Sequence, residues 1–308
     1  NFINIMKLHR DNIFKKYEWL REKNRPFIIS SNYDGIICAS FLSHYLNWKL
    51  VGYYDYNNIW LSDNAVKNKK DIIWVDLNIL PETGKSLGGH IVFLDDKYPK
   101  GLLTSCNPNI LAKINAENFK NKFPFSTLIF LLWLHDIKIT DQIAKLFVLH
   151  SDNSWMKIQK YKENISFWTD MLSEYSWGKL INDVNSIDYE KNVDQYLYPK
   201  LINLGETTFG KLKSNYLGIK SRELKINPDW DLDIILKLLN IFANILNWTP
   251  PEIPIINKKI KGKKVKADLK KIKKYGLNSF IKNNKIFSYA ISSPKDFSYT
   301  MFDQKEKK

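Results

Sequence analysis

In Phe27-Ile28-Ile29-Ser30-Ser31-Asn32-Tyr33-Asp34-Gly35-Ile36-Ile37-Cys38-Ala39, an apolar run stops at a polar Asp-Gly turn, and a helix-like pattern follows. Two further apolar runs end in acids, Ile72-Ile73-Trp74-Val75-Asp76 and Ile91-Val92-Phe93-Leu94-Asp95-Asp96. Buried parallel strands read as continuous apolar runs, and ligands bind at their carboxyl ends. The pattern therefore predicts a parallel sheet with carboxylates gathered along one edge.

The order of patterns along the chain predicts an α/β fold with a mostly parallel sheet. Strand-like runs at 27–30, 50–54, 72–76 and 91–95 alternate with a helix-like segment at 36–46 and with polar connections. Later helices are predicted at 125–135, 141–150 and 231–248, and two short strands at 287–291 and 297–302. We expect an α/β domain over 1–155, a helical region over 156–250, and a small basic C-terminal segment with short strands over 251–308.

Charge and cysteine content limit the classes of partner and compartment. The 308 residues carry a formal charge of +15, which attracts polyanions in a salt-dependent way and predicts a nucleic-acid partner. Cys38 and Cys106 are too few for a disulfide framework or a cysteine-based zinc site, which favours a reducing compartment. The longest apolar stretch, 127–134, is shorter than a membrane span. We expect no membrane partner and a cytoplasmic location, in the host cytoplasm if the AT-rich composition is viral.

The acids at the strand ends form a candidate metal site. Clustered carboxylates suit hard cations such as Mg²⁺ or Mn²⁺, which polarise phosphoryl oxygens and activate water, as phosphodiester hydrolysis requires. Candidate ligands are Asp34, Asp76 and the pair Asp95/Asp96, and Asp152 in His150-Ser151-Asp152-Asn153 is a further one. For each acid alone the alternative is a structural role at a turn or a helix start.

The order of these segments resembles the DHH phosphoesterase superfamily, which includes the RecJ single-strand exonucleases. Its members carry a D-x-D-x-D-G turn, a strand ending in Asp, an apolar strand ending in Asp-His-His, and a later Asp. The corresponding segments here are Ser30-Ser31-Asn32-Tyr33-Asp34-Gly35, the strand ending at Asp76, and Leu94-Asp95-Asp96-Lys97. The segment Ser105-Cys106-Asn107-Pro108-Asn109 looks like the asparagine-proline segment that follows. The resemblance covers roughly residues 25 to 155.

The resemblance implies a reduced metal site. It assigns Asp34, Asp76, Asp96 in place of the first His, and Asp152 as ligands of one Mn²⁺ or Mg²⁺ ion. It makes Asp95 and Lys97 the catalytic residues, with Lys97 replacing the second His as a phosphate clamp. Ser30 and Asn32 replace two acids that hold the other metal in the family.

Two functions remain open from these motifs. The chain is predicted to bind single-stranded DNA or RNA with impaired or absent hydrolysis, alone or in a nucleic-acid-processing assembly. The alternative is a Mn/Mg-dependent phosphodiesterase, either an exonuclease or an oligonucleotide hydrolase. A strand ending in D-x-D-G also opens the haloacid dehalogenase fold, but its nucleophilic Asp is Asn32 here, which disfavours that class.

A lysine-rich stretch near the C-terminus is the second candidate site, and we call it the lysine segment. It contains ten lysines: Lys258, Lys259, Lys261, Lys263, Lys264, Lys266, Lys270, Lys271, Lys273 and Lys274. One interpretation is a solvated linker. The other is a lightly packed segment that lays charge along a phosphate backbone and gives affinity without sequence readout. A structural subunit that holds RNA or an acidic protein on this basic surface is a third function class.

Overall fold

The structure, a computed structural model, describes residues 7–81, 84–93, 99–202, 204, 226–291 and 296–302. It contains two compact units. The helical unit comprises 1–12, 31–46 and 124–251, and the sheet unit comprises 13–30, 47–123 and 252–308. The units therefore interleave along the chain, whereas the predicted domains are consecutive segments. The predicted boundaries stay predictions.

The sheet unit contains a nine-stranded mixed sheet, which makes the chain an α/β protein. Its strands are β1 Pro26–Ser30, β2 Lys49–Asp55, β3 Asn58–Leu61, β4 Ile73–Val75, β5 Lys85–Leu87, β6 Ser105–Cys106, β7 Lys258–Asp268, β8 Ile286–Ile291 and β9 Asp296–Phe302. Their order is β6-β5-β4-β1-β2-β3-β7-β9-β8. The five strands from β6 to β2 pair in parallel, and the other pairs are antiparallel.

Most predicted strands are confirmed, and one is wrong in its described part. The runs at 27–30, 50–54 and 72–76 form β1, β2 and β4, and the two C-terminal runs form β8 and β9. In the predicted strand at 91–95, Phe93 makes only an isolated bridge to Asn115. The strand next to β4 in the sheet is instead β5, whose Ser86 and Leu87 pair with β4 on one side and β6 on the other.

Helices make up the helical unit and the connections of the sheet unit. Their bounds are α1 Arg10–Lys16, α2 Tyr33–Leu46, α3 Asp63–Lys67, α4 Pro108–Leu111, α5 Thr127–Leu134, α6 Gln142–His150, α7 Ser154–Lys160, α8 Lys162–Met171, α9 Trp177–Ile181, α10 Ile187–Asn192, α11 Tyr198–Ile202, α12 Leu232–Leu246, α13 Leu269–Tyr275 and α14 Leu277–Asn284. The predicted helices at 36–46, 125–135, 141–150 and 231–248 are confirmed as α2, α5, α6 and α12. None of the helices in the described ranges has the length and apolarity that a membrane crossing requires.

A hydrophobic core holds the lysine-bearing strand β7 in the sheet unit. The core includes Ile28, Val51, Tyr54 and Ile59, and Ile260 of β7 packs against it. Phe287 of β8 and Phe302 of β9 pack there as well. The described strands of the predicted basic C-terminal segment, β7, β8 and β9, are therefore part of the sheet.

Candidate functional site

Polar side chains gather where the parallel strands of the sheet unit end. Ser30 is the last residue of β1, Asp76 follows β4, His90 lies three residues beyond β5, and Asn107 follows β6. Because the strands are parallel neighbours, their carboxyl ends share one edge of the sheet. We call these four residues, with Asn78, the strand-end cluster.

Asp76 is the centre of the strand-end cluster. Its side chain has no exposed surface. Its carboxylate accepts a hydrogen bond from the Ser30 hydroxyl, and its Oδ1 lies 2.9 Å from Nε2 of His90. A buried carboxylate needs such donors, because an unpaired buried charge is costly. The backbone of Asp76 has a φ of 64°, a left-handed conformation that Asp tolerates better than most residues.

The cluster differs from a Ser-His-Asp nucleophile. In that catalytic arrangement the imidazole stands between the hydroxyl and the carboxylate and takes the hydroxyl proton. Here the carboxylate of Asp76 stands between Ser30 and His90. The arrangement holds an acid in place, and the imidazole of His90 does not act on Ser30.

Buried asparagines fix the loop that carries His90. The amide of Asn107 donates to Oδ1 of Asn78 and to the carbonyl of Ile91, both at 2.9 Å. The amide of Asn109 donates to the carbonyl of Gly89 at 2.7 Å. The asparagine-proline segment noticed in the sequence therefore positions the loop beside Asp76.

Sequence reasoning missed His90 as a partner of Asp76. The one local signal is the glycine pair before it, since a Cβ on Gly88 would lie 2.8 Å from the backbone nitrogen of Leu77. Only glycine permits that close approach of the two strand-end loops.

Asp34 lies in the first turn of α2, where the sequence predicts an Asp-Gly turn, and it is 2% exposed within the helical unit. Its Oδ2 accepts from the backbone N–H of Thr127 at 3.0 Å, and its Oδ1 from that of Leu128 at 3.4 Å. The hydroxyl of Ser151 donates to Oδ1 as well. Negative charge is favourable at a helix N-terminus, so Asp34 stabilises the start of α5.

Of the remaining predicted ligands and catalytic residues, the structure describes only Asp152. Asp152 has a φ of 49°, and its Oδ2 forms an ion pair with Nζ of Lys157 at 2.5 Å. Asp95, Asp96 and Lys97 lie outside the described residues. Ser151, the residue before Asp152 in the sequence, donates a hydrogen bond from its hydroxyl to Asp34.

Hydrogen-bond donors already occupy part of the lone-pair capacity that a Mn²⁺ or Mg²⁺ ion would use at Asp34 and Asp76. Both oxygens of Asp34 accept hydrogen bonds, as do both oxygens of Asp76. Over the described ranges, no group of three or more His, Cys, Asp or Glu side chains is arranged to hold a metal ion. The four-acid ligand set stays a prediction.

His150, the last residue of α6, is a buried histidine of the helical unit and directly precedes Ser151. Its ring meets that of Tyr33 edge-on with centroids 5.0 Å apart, and its Nδ1 has no hydrogen-bond partner in the described part of the chain. Burial lowers the pKa of His150 to about 4. The imidazole is therefore neutral in the folded protein at neutral pH.

We expect the free energy of unfolding to fall at acidic pH, because the buried ring of His150 resists protonation in the folded protein. The unfolded chain takes up this proton near its ordinary pKa of about 6.5, whereas the folded chain resists until about 4. Stability from the neutral ring is thus complete above pH 6.5 and falls by about 3 kcal/mol as the pH drops through 4. Urea unfolding at several pH values measures this. His150→Leu should flatten the slope relative to wild type, and the exposed-site control His9→Asn should keep it.

The lysine segment occupies a strand and a helix. Residues 258–261 of β7 pair with β3, and 262–268 pair with β9, so each part of the strand backbone pairs with one neighbouring strand. Helix α13 begins at Asp268, whose side chain accepts from the N–H of Lys270 at 2.8 Å, and it buries Leu269 and Ile272. The lysines are therefore carried on ordered backbone, which contradicts the linker interpretation.

Eight of the ten lysines are exposed. They are Lys261, Lys263, Lys264 and Lys266 on β7 and Lys270, Lys271, Lys273 and Lys274 on α13. Aromatic rings hold two of the strand lysines: Nζ of Lys264 lies 4.0 Å from the ring centroid of Tyr56, and Nζ of Lys259 lies 5.0 Å from that of Trp60. Trp155 and Trp177 of the helical unit are buried, so their rings are not available to stack on bases.

Comparison with family models, curated proteins and solved structures gives no match to this chain.

Proposed function

We propose that this chain binds single-stranded nucleic acid through the lysine segment, without reading its sequence. One observation carries the proposal: eight exposed lysines stand on the ordered backbone of β7 and α13. Ordering a flexible chain on binding costs conformational entropy, and β7, which pairs with a neighbouring strand along its whole length, is already ordered by folding. Lysines on such a scaffold supply affinity through phosphates.

The geometry of β7 suits a phosphate backbone. Alternate residues of a strand are about 6.6 Å apart on one face, a spacing comparable to that of neighbouring phosphates. Lys261 and Lys263 form one such pair on one face of the strand, and Lys264 and Lys266 form another on the opposite face. The preference for single strands rests on the resemblance to the DHH superfamily.

The direct test is a titration of a labelled single strand at several salt concentrations, read by fluorescence anisotropy. We expect the logarithm of the association constant to fall linearly with the logarithm of salt, with a slope of about −0.7 for each phosphate contact. DNA and RNA strands of unrelated sequence should bind alike. A slope near zero, or strong preference for one sequence, would contradict the proposal.

We propose that hydrolysis is impaired, because the family's first acidic position is occupied by Ser30. That hydroxyl donates to Asp76, so a neutral donor stands where the resemblance implies a charged metal ligand. In the alternative, a one-ion Mn²⁺ or Mg²⁺ phosphodiesterase, Asp76 is a ligand. The two functions therefore predict different roles for the same carboxylate.

Replacing Asp76 with asparagine separates them. We expect neither wild type nor Asp76→Asn to shorten labelled single strands with Mn²⁺ or Mg²⁺, and Mn²⁺ to leave both melting temperatures unchanged. Gel analysis of the strands and thermal unfolding provide the two readouts. Mn²⁺-dependent cleavage that wild type shows and a folded Asp76→Asn lacks would establish the phosphodiesterase instead.

We further propose that the protein acts in the cytoplasm as part of a nucleic-acid-processing assembly. The two cysteines, Cys38 and Cys106, are buried thiols, which is compatible with a reducing compartment. If it serves only as a structural subunit holding an acidic protein, an acidic polypeptide should displace the single strand from it completely.

A further inference from the structure

An open cleft of about 460 Å³ lies in the helical unit, and none of the residues predicted from motifs lines it. Its lining residues come from the start of α6, from α9 and from the turns beside them: Thr140, Lys145, Gly178, Lys179, Asn182 and Asp183. Pockets of this size accept small polar ligands or a portion of a larger one.

Lys145 is the unusual member of the cleft lining. It is 7% exposed, which is rare for lysine. Its Nζ makes one hydrogen bond to the described residues, to Oε1 of Gln142 at 3.4 Å. An ammonium group carries three donors, and burying a charge with little compensation is costly. The cleft is the place where further acceptors can reach it.

The other side chains of the cleft define the acceptor that fits. Lys179 adds a second positive charge, and Asp183 provides one negative charge, so the lining is net positive. The Thr140 hydroxyl and the Asn182 amide are additional donors. A compact oxyanion with several acceptor oxygens matches this set of donors, because charge-assisted hydrogen bonds to phosphate are short and strong.

We propose that this cleft binds a phosphate group through Lys145 and Lys179. The group is carried either by a small phosphorylated molecule or by a nucleic-acid strand. The second source rests on the proposed function, and the first is independent of it.

The first experiment uses inorganic phosphate with the full chain, against chloride at equal ionic strength. We expect phosphate to raise the melting temperature of wild type, and Lys145→Met to weaken phosphate binding in calorimetry by about tenfold or more. Lys179→Met, at an exposed position, should weaken it too and guards against misfolding at Lys145. The control Lys162→Met, an exposed lysine of α8, should bind as wild type does.

An equal response to chloride and phosphate would overturn the proposal. So would undiminished phosphate binding by both folded cleft variants.

A second experiment identifies the source of the phosphate. If a strand occupies the cleft, Lys145→Met should reduce the magnitude of the salt slope for single-strand binding by about 0.7. An unchanged slope, together with tighter binding of ribose 5-phosphate than of ribose, assigns the cleft to a small phosphorylated molecule. Absence of strand binding by wild type would defeat the proposed function alone, since the phosphate titration is read separately.

Discussion

Reversing four charges of the lysine segment should weaken single-strand binding by about 100-fold or more at low salt. The variant is Lys263→Glu, Lys266→Glu, Lys270→Glu and Lys273→Glu, with two positions on β7 and two on α13. Each change removes a possible phosphate contact and adds repulsion, so the salt slope should also shrink, by about 3 if all four lysines touch phosphates. All four side chains are exposed, so the fold should survive.

The matched control reverses four exposed lysines of the helical unit: Lys138, Lys160, Lys162 and Lys200. Both variants lower the formal charge from +15 to +7, because each reversal removes two charges. Anisotropy titrations should show a small loss for the control and a large one for the lysine segment. Equal losses would mean that net charge attracts the strand and that the lysine segment has no special part in binding.

Replacing Asp34 with alanine should cost about 3 kcal/mol or more of stability, because each buried donor that loses its acceptor costs about 1–3 kcal/mol. Helix α5 is buried along its whole length, so its first N–H groups have no water to bond. Asp34 accepts from those of Thr127 and Leu128, and the Ser126 side chain accepts from that of Ile129. Without the carboxylate, two backbone donors and the Ser151 hydroxyl lose their acceptor.

The control for Asp34 is Asp152→Ala, one residue from Ser151. Its carboxylate is partly exposed and pairs with Lys157, and exposed ion pairs contribute about 1 kcal/mol or less. Urea unfolding followed by far-UV circular dichroism gives both losses. If the loss at Asp34 were no greater than that at Asp152, the carboxylate would not be the cap of α5. If Mn²⁺ raised the free energy of unfolding of wild type and not that of Asp34→Ala, the metal-ligand role would gain support.

Sequence patterns correctly predicted the strands and helices that consist of a run of apolar residues. The apolar runs at 27–30 and 50–54 became buried parallel strands, and the run in Thr127–Leu134 became a buried helix. The polar strand β5 was missed, since Lys85-Ser86-Leu87 has no apolar run. It forms because its backbone finds partners on both sides.

The two candidate sites differ in how much of each could be predicted. The density of lysines between 258 and 274 is read directly from the sequence, because recognising it requires no knowledge of contact partners. The partners of the acids cannot be read in this way, since Ser30 lies 46 positions from Asp76 and Asp34 lies 117 positions from Ser151. No spacing rule links residues that far apart.

The order of the amino acids shows that acids follow apolar runs, that the chain is strongly basic, and that its lysines cluster between 258 and 274. The local role of each of these groups depends on contacts that form in the folded chain. In the folded chain Asp34 accepts hydrogen bonds at the start of α5, and Asp76 lies between Ser30 and His90. The lysine segment forms strand β7 and helix α13. The physical reason is that a buried carboxylate or an extended strand takes its role from its hydrogen-bond partners, and folding brings those partners from distant parts of the chain.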